Sequence, residues 1–436
     1  MLSSILDIMT KRDAIKNDQL LKHNLIFFIG TMFISVFNYL YYPVIGRLVS
    51  VSDFGEIQAV ISLFMQLGII LTAYGYVITN IVSNSNSSND DQSKNMIITL
   101  EKILFMAMII AMPIFIIGAY FLSNSFQFKS LLSIVLVGFL ILLNVPSTTR
   151  SYALQGERKM KEVSVGGIIF SLGKLILSVV MIYVITDNIA AAIIGYFLAQ
   201  SLVVLYFQKK LKGKYVSLKE SINVFNIKER IAKQKDLKGY LKYGLYILFV
   251  MTGLTLLYSF DTVLARLFFD AHTSGLYSGI SSIARIIFFI TASVAGVLIA
   301  SVKLDSSDQE NKKVLRNSTI MVLGLGLTVL VAFSLFPEFF VSVLMGSDYA
   351  VAAKLLPIVS CVMLLCSINN LLAIYQIALK KYNAIVSVLI GVGVMAIGLS
   401  LFHSSVESFV YVLLVANLSV IIMLTGQIFY RRKQNV

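Results

Sequence analysis

The sequence predicts an all-α polytopic membrane protein, with about twelve transmembrane helices in two six-helix lobes and both termini on the cytoplasmic side. Three observations carry that prediction. The chain is 58% hydrophobic and only 13% charged, against roughly 45–50% and about 25% in an ordinary globular domain. Apolar runs of about 20 residues, each long enough to cross a hydrocarbon core of about 30 Å as a helix, alternate with short polar blocks. The 36 lysines and arginines crowd into every second block, as the positive-inside rule requires of cytoplasmic segments.

The spans expected from hydropathy are about 24–45, 56–80, 103–122, 130–149, 163–184, 189–207, 241–265, 276–300, 318–336, 355–378, 384–402 and 408–430. An even number returns the chain to its starting side. The polar start through Lys11, Arg12, Lys16 and Lys22 leads into the first span without a small-residue cleavage site, so it does not read as a secretory signal. The outer loops are short and carry Arg47, Lys129, Arg266 and Lys354. The one long inner segment, Gln208–Tyr240, holds ten Lys and Arg against three acids and separates an N-terminal lobe, 1–207, from a C-terminal lobe, 241–436. It reads either as a solvated linker helix or as a helix laid on the anionic inner leaflet through Leu218, Ile222, Phe225 and Ile231. Charge distributed in this way points to membrane lipids, and not to nucleic acid, as the partner of the net +14.

The lobes share landmarks. GRLVSVSDFGEI (Gly46–Ile57) and ARLFFDAHTSGLY (Ala265–Tyr277) each place Arg-Leu at the outer end of a span, then an acid and a glycine opening the next. ALQGERKMK (Ala153–Lys161) and ALKKYN (Ala378–Asn383) follow spans 4 and 10. Six-span repeats are parallel, and two such lobes leave a midplane cleft between them, which is a transporter's architecture.

Several chemistries are excluded. His23, His272 and His403 are too widely spaced for a zinc site, and no serine-nucleophile signature occurs. GGIIFSLGKL (Gly166–Leu175) has the wrong spacing for a phosphate loop and lies inside a span. No metal, cofactor or ATP is therefore expected. Cys361 and Cys366 sit in an apolar run and read as free thiols.

Charge within a span is costly, about 2.5–3.5 kcal/mol at the helix centre, and marks candidate sites. Lys174 lies near the middle of span 5, where it either contacts a ligand or forms a structural pair. Arg285, in span 8, carries a planar fork suited to carboxylate or phosphate; its structural alternative is a salt bridge to Asp261. Asp261 is the only carboxylate placed inside a span, and its alternatives are ion coupling, pairing with Arg285 or Arg266, and a solvated helix end. Arg47 and Arg266 are either substrate contacts or interfacial anchors. Asn38, Tyr42, Gln66, Asn369 and Asn370 offer the amides and aromatic faces that suit a glycan, although span amides also bond between helices.

The chain resembles the Wzx-type oligosaccharide flippases, the polysaccharide-transporter branch of the MOP superfamily that also holds the MATE exporters. The resemblance rests on RLVSVSDFG (Arg47–Gly55), LQGERKMK (Leu154–Lys161), FDTVLARLF (Phe260–Phe268), GLYSGISSIARI (Gly275–Ile286) and LMGSDYAVAAKLL (Leu344–Leu356). It implies a MATE-like pair of lobes alternating between inward- and outward-facing states in the bacterial cytoplasmic membrane. The cargo implied is an oligosaccharide on undecaprenyl diphosphate, with a glycan polymerase and a chain-length regulator as further partners. The family often has Arg where Lys174 stands. Competing expectations are a drug or cation antiporter of the same superfamily, disfavoured by two span cations against one carboxylate, and a membrane glycan polymerase or ligase, disfavoured by the short outer loops.

Overall fold

The computed structural model describes residues 30–31, 33–83, 90–125, 128–211, 237–302, 307–379, 381 and 383–430. All regular structure among them is helical. The helices are α1 (33–48), α2 (Val51–Ser83), α3 (Asp90–Ser125), α4 (Leu131–Gly156), α5 (Met160–Val184), α6 (Asn188–Leu211) and α7 (Leu237–Ser259). They continue with α8 (Asp261–Phe268), α9 (Ala271–Ser301), α10 (Asp308–Leu335), α11 (Pro337–Leu344), a 3-10 segment (Ser347–Leu355), α12 (Leu356–Ala378), α13 (Ala384–Leu401) and α14 (Val406–Tyr430). Ten are long and apolar enough to cross a membrane, and the bent pair α7–α8 makes an eleventh. Expected span 1 begins outside the described residues, as does most of the basic segment 208–240.

Span 7, expected as one run over 241–265, is instead broken by 53° between Gly244–Ser259 and Asp261–Phe268. The break puts Asp261 in the first turn of α8, where the helix macrodipole favours a carboxylate. Polar side chains of α2 brace it from outside. Ser62 and Thr262 hydroxyls lie 2.7 Å apart, and Gln66 donates to the Ser259 hydroxyl at 3.2 Å. The helices also begin earlier than the expected spans, α2 at Val51 and α3 at Asp90. That corrects the placement of Asp261 as the only carboxylate inside a span, since Glu56 and Glu101 are buried in α2 and α3. Arg266, expected in an outer loop, lies buried in α8, and Arg150 lies buried in α4.

Within the first half, α4 packs on α2, α3 and α6, and α5 lies against α6. Within the second, α12 packs on α9, α10 and α14, while α13 lies between α7 and α14. The halves meet where α2 crosses α7, α8 and α9. Ser50 and Asp270 stand immediately before α2 and α9, and five residues on from each is a glycine, Gly55 and Gly275. A Cβ on Gly55 would lie 2.7 Å from the Gly275 Cα, and one on Gly275 would meet the Val51 carbonyl oxygen. The repeated glycine thus lets the two landmark motifs touch backbone to backbone. Asp270 caps α9 by accepting from the amides of His272 and Thr273 at 2.9 and 3.0 Å. Bonds from the Thr273 hydroxyl and these amides hold its carboxyl below the usual range.

Candidate functional site between the halves

Two charged side chains stand near the middle of the helices, one in each half. In the second half Asp261, Tyr277, Ser281 and Arg285 form a buried cluster. The hydroxyls of Tyr277 and Ser281 donate to one carboxylate oxygen of Asp261 at 2.8 and 2.6 Å, and Arg285 Nη2 donates to the other at 2.7 Å. Tyr277, Ser281 and Arg285 recur at one-turn spacing along α9, so a single helix face presents all three to the Asp261 carboxylate at the α7–α8 break. The expected alternative for Arg285, a salt bridge to Asp261, is what the structure contains. Arg285 Nε is buried without a partner among the described residues.

In the first half Lys174 is only 5% exposed. It lies about 15 Å from the end of α5 at the rise of 1.5 Å per residue, too deep for its stem to carry the ammonium to the interface. Among the described residues it has no carboxylate partner. Its Nζ donates to the Tyr196 hydroxyl at 3.3 Å and stands 4.9 Å from the Tyr196 ring, 5.0 Å from that of Tyr41 and 5.8 Å from that of Phe170. Cation–π contacts are worth about 2 kcal/mol or more once desolvated. The cage is built from α1, α5 and α6, with Tyr41, Phe64 and Phe170 each set edge-on to Tyr196.

Tyr41 and Tyr42 connect the two charges. Tyr41 faces Lys174, and its neighbour Tyr42 stacks on Phe289 of α9, with ring centroids 6.5 Å apart, within electrostatic reach of Arg285. Tyr39 and Tyr41 hydroxyls, both atoms of the Gln58 amide and the Gln66 carbonyl are also buried without partners among the described residues. Buried polar groups ordinarily find a hydrogen bond.

Arg47 is exposed and donates to the carbonyls of Ser342 and Val343 at the end of α11. Arg266 Nη2 bonds Glu56 at 3.1 Å, with both side chains at most 1% exposed. Gln66 bridges to Ser259. Asn369 donates to the backbone and side-chain oxygens of Asn417, both at 3.0 Å. Asn370 joins these two in lining a cavity of about 10 Å³ with Tyr258 and Cys366, room for one water. Asn38 is half-buried on α1.

Sequence reasoning missed Glu56, Glu101 and Arg150. Arg150 donates to Glu101 at 3.2 Å, to the Pro146 carbonyl at 2.7 Å and to Gln208 at 2.6 Å, joining α3, α4 and α6. The three carboxylates buried among the described residues, Glu56, Glu101 and Asp261, are therefore each held by an arginine. No group of three His, Cys, Asp or Glu side chains among the described residues could hold a metal ion.

Solved structures with the same fold include the lipid II flippase MurJ in an inward closed conformation. It is 13% identical, with a TM-score of 0.69 over 94% of this chain and 87% of that one. An outward-facing multidrug resistance MATE transporter is 13% identical, TM-score 0.63, over 93% and 95%. A MOP superfamily transporter from Pyrococcus furiosus is 12% identical, TM-score 0.59, over 93% and 95%. No curated protein sequence matches the chain. The family described as polysaccharide biosynthesis protein matches residues 20–299, more than half of the chain. With the helices, the paired halves and this match together, the chain belongs to the polysaccharide biosynthesis protein family and is a multi-pass membrane protein with the fold of the MOP superfamily transporters.

Proposed function

We propose that the protein is a flippase that carries a lipid-linked oligosaccharide, on undecaprenyl diphosphate, from the inner to the outer leaflet of the bacterial cytoplasmic membrane. The product would feed O-antigen, capsule or exopolysaccharide synthesis, where a glycan polymerase and a chain-length regulator would act next. In this reading the chain makes twelve spans with both termini cytoplasmic, and the lobes 1–207 and 241–436 move against each other about the linker 208–240.

The observation that supports it best is Lys174. A buried ammonium with no carboxylate partner among the described residues lacks the anion that every buried arginine here possesses. Burying an ion without a counter-charge is expensive, and an incoming diphosphate supplies the missing charge. Tyr41 and Phe170 around it, and Tyr42 on the side of Arg285, offer faces for sugar rings, and the unpartnered amide of Gln58 offers hydrogen bonds. Arg285 serves the same cargo through Nε, with Asp261 fixing the orientation of its fork.

The antiporter reading asks for a carboxylate open to a cationic cargo. The three carboxylates buried among the described residues are already engaged by arginines. Complementation in cells lacking the protein separates the readings. Lys174→Arg should restore more surface glycan than Lys174→Ala at equal protein level. Equal restoration by both would remove Lys174 from the ligand site. Drug sensitivity without a glycan defect in the deletion strain would replace the flippase reading with the antiporter.

A further inference from the structure

The turn between α11 and the 3-10 segment fills the seam between the halves where α1 ends and α2 begins. Gly346 makes that turn at φ +105°, a conformation that residues with a Cβ rarely adopt. Met345 and Tyr349, on either side of it, are buried, at 2% and 1% exposure. Both reach α9 at Gly279, where a Cβ would run into the Tyr349 ring and come within 3.5 Å of the Met345 methyl. The turn belongs to the second half, since α9 packs on α11 and on the 3-10 segment, α10 on α11, and α12 on the 3-10 segment. Its remaining contacts cross to the first half. A Cβ on Gly46 would collide with the same Met345 methyl, and Phe54 sets its ring edge-on to Tyr349 with centroids 6.0 Å apart. Arg47 donates to the Ser342 and Val343 carbonyls near the end of α11. Gly46 and Gly279 are thus two recesses that let one turn sit between α1 and α9.

The Tyr349 hydroxyl opposes this fit. It is buried without a partner among the described residues, a penalty that a plain phenyl ring in the same place would not carry. Ring packing therefore favours the closed seam. The stranded hydroxyl favours the open one, where water reaches it. Opposed terms of this kind keep two states close enough in free energy for a ligand to shift the population between them.

We propose that the Met345–Tyr349 turn is the gate of this end of the seam, a wedge carried by the second half that grips α1 and α2, and that the Tyr349 hydroxyl sets how readily it releases. The gate goes beyond the flippase reading and holds for any cargo.

The test uses the full chain in lipid nanodiscs, with Cys361 and Cys366 replaced by serine and Ser62→Cys as reporter. Ser62 is 1% exposed when the seam is closed and meets Thr262 across it, so its reaction with a membrane-impermeant maleimide reads opening. A second reporter, Val77→Cys in a separate protein, reads the other end of the seam, where Val77 is 5% exposed and packs toward Gly244 of α7. Tyr349→Phe keeps the wedge and removes the stranded hydroxyl, so labelling at position 62 should fall at least about fivefold. Tyr349→Ala removes the ring and its edge-on contact, so labelling there should rise about tenfold. Labelling at position 77 should rise in neither variant. Equal labelling at position 62 in the parent and both variants would overturn the gate. A rise at position 77 as large as that at position 62 in Tyr349→Ala would also overturn it, as general loosening of the fold. Faster labelling in Tyr349→Phe than in the parent would overturn the part given to the hydroxyl.

Discussion

Lys174 and Arg285 lie on either side of Tyr41 and Tyr42, one in each half, and their surroundings are opposite in kind. Arg285 is neutralised by Asp261, which two further hydroxyls from Tyr277 and Ser281 hold in place. Lys174 has one phenol hydroxyl and three aromatic faces. The first arrangement is a closed electrostatic unit that stabilises the fold around the α7–α8 break. The second keeps a charge buried without cancelling it. A transporter of an anion needs a cation whose counter-charge arrives with the cargo, and in the proposed function that part falls to Lys174, with Arg285 as a second contact.

The comparison can be broken by substitutions that act on stability to different degrees. The largest loss belongs to Asp261→Ala, which strands the Arg285 charge and should cost about 3–5 kcal/mol. Thermal unfolding of the purified protein checks it, and the double variant Asp261→Ala/Arg285→Met should recover most of the loss. Gly275→Ala comes next. Its Cβ meets the Val51 carbonyl, so the seam cannot close, and overpacking of this kind costs about 1–3 kcal/mol. Higher labelling of a cysteine at position 62 would accompany it. Tyr196→Phe keeps the cage but removes the hydroxyl that Lys174 donates to, at a cost of about 1 kcal/mol; glycan export should fall a few-fold. Lys174→Met should leave the unfolding temperature unchanged or raise it, since an uncompensated buried charge is removed, yet abolish export. A Lys174→Met protein as damaged as Asp261→Ala would erase the distinction between the two sites.

Much of this fold was legible in the sequence, because hydropathy reports directly on burial in lipid. Eleven of the expected spans coincide with long apolar helices or with the bent pair, give or take their ends, and the repeated Arg-Leu and glycine landmarks lie where the halves touch. The break at Phe260 was not legible. A hydropathy window averages across it, and the side chains that brace it come from other helices, those of α2 some 193 and 200 residues away. Glu56 and Glu101 escaped for a related reason, since each sits near the polar end of an apolar run and only the partner arginine, 210 and 49 residues away, shows that it is buried. Lys174 was visible as an intramembrane charge. Its cage was not, because Tyr41, Phe170 and Tyr196 come from three helices and nothing in their spacing relates them.

Lipid extracts from cells whose only copy carries Lys174→Met, with the sidedness of lipid-linked oligosaccharide determined, test the central claim most directly. The account predicts complete single repeats on undecaprenyl diphosphate accumulating on the cytoplasmic face, with the variant present in the membrane at its normal level. Single repeats on the outer face, or a normal surface glycan with no accumulation, would contradict it.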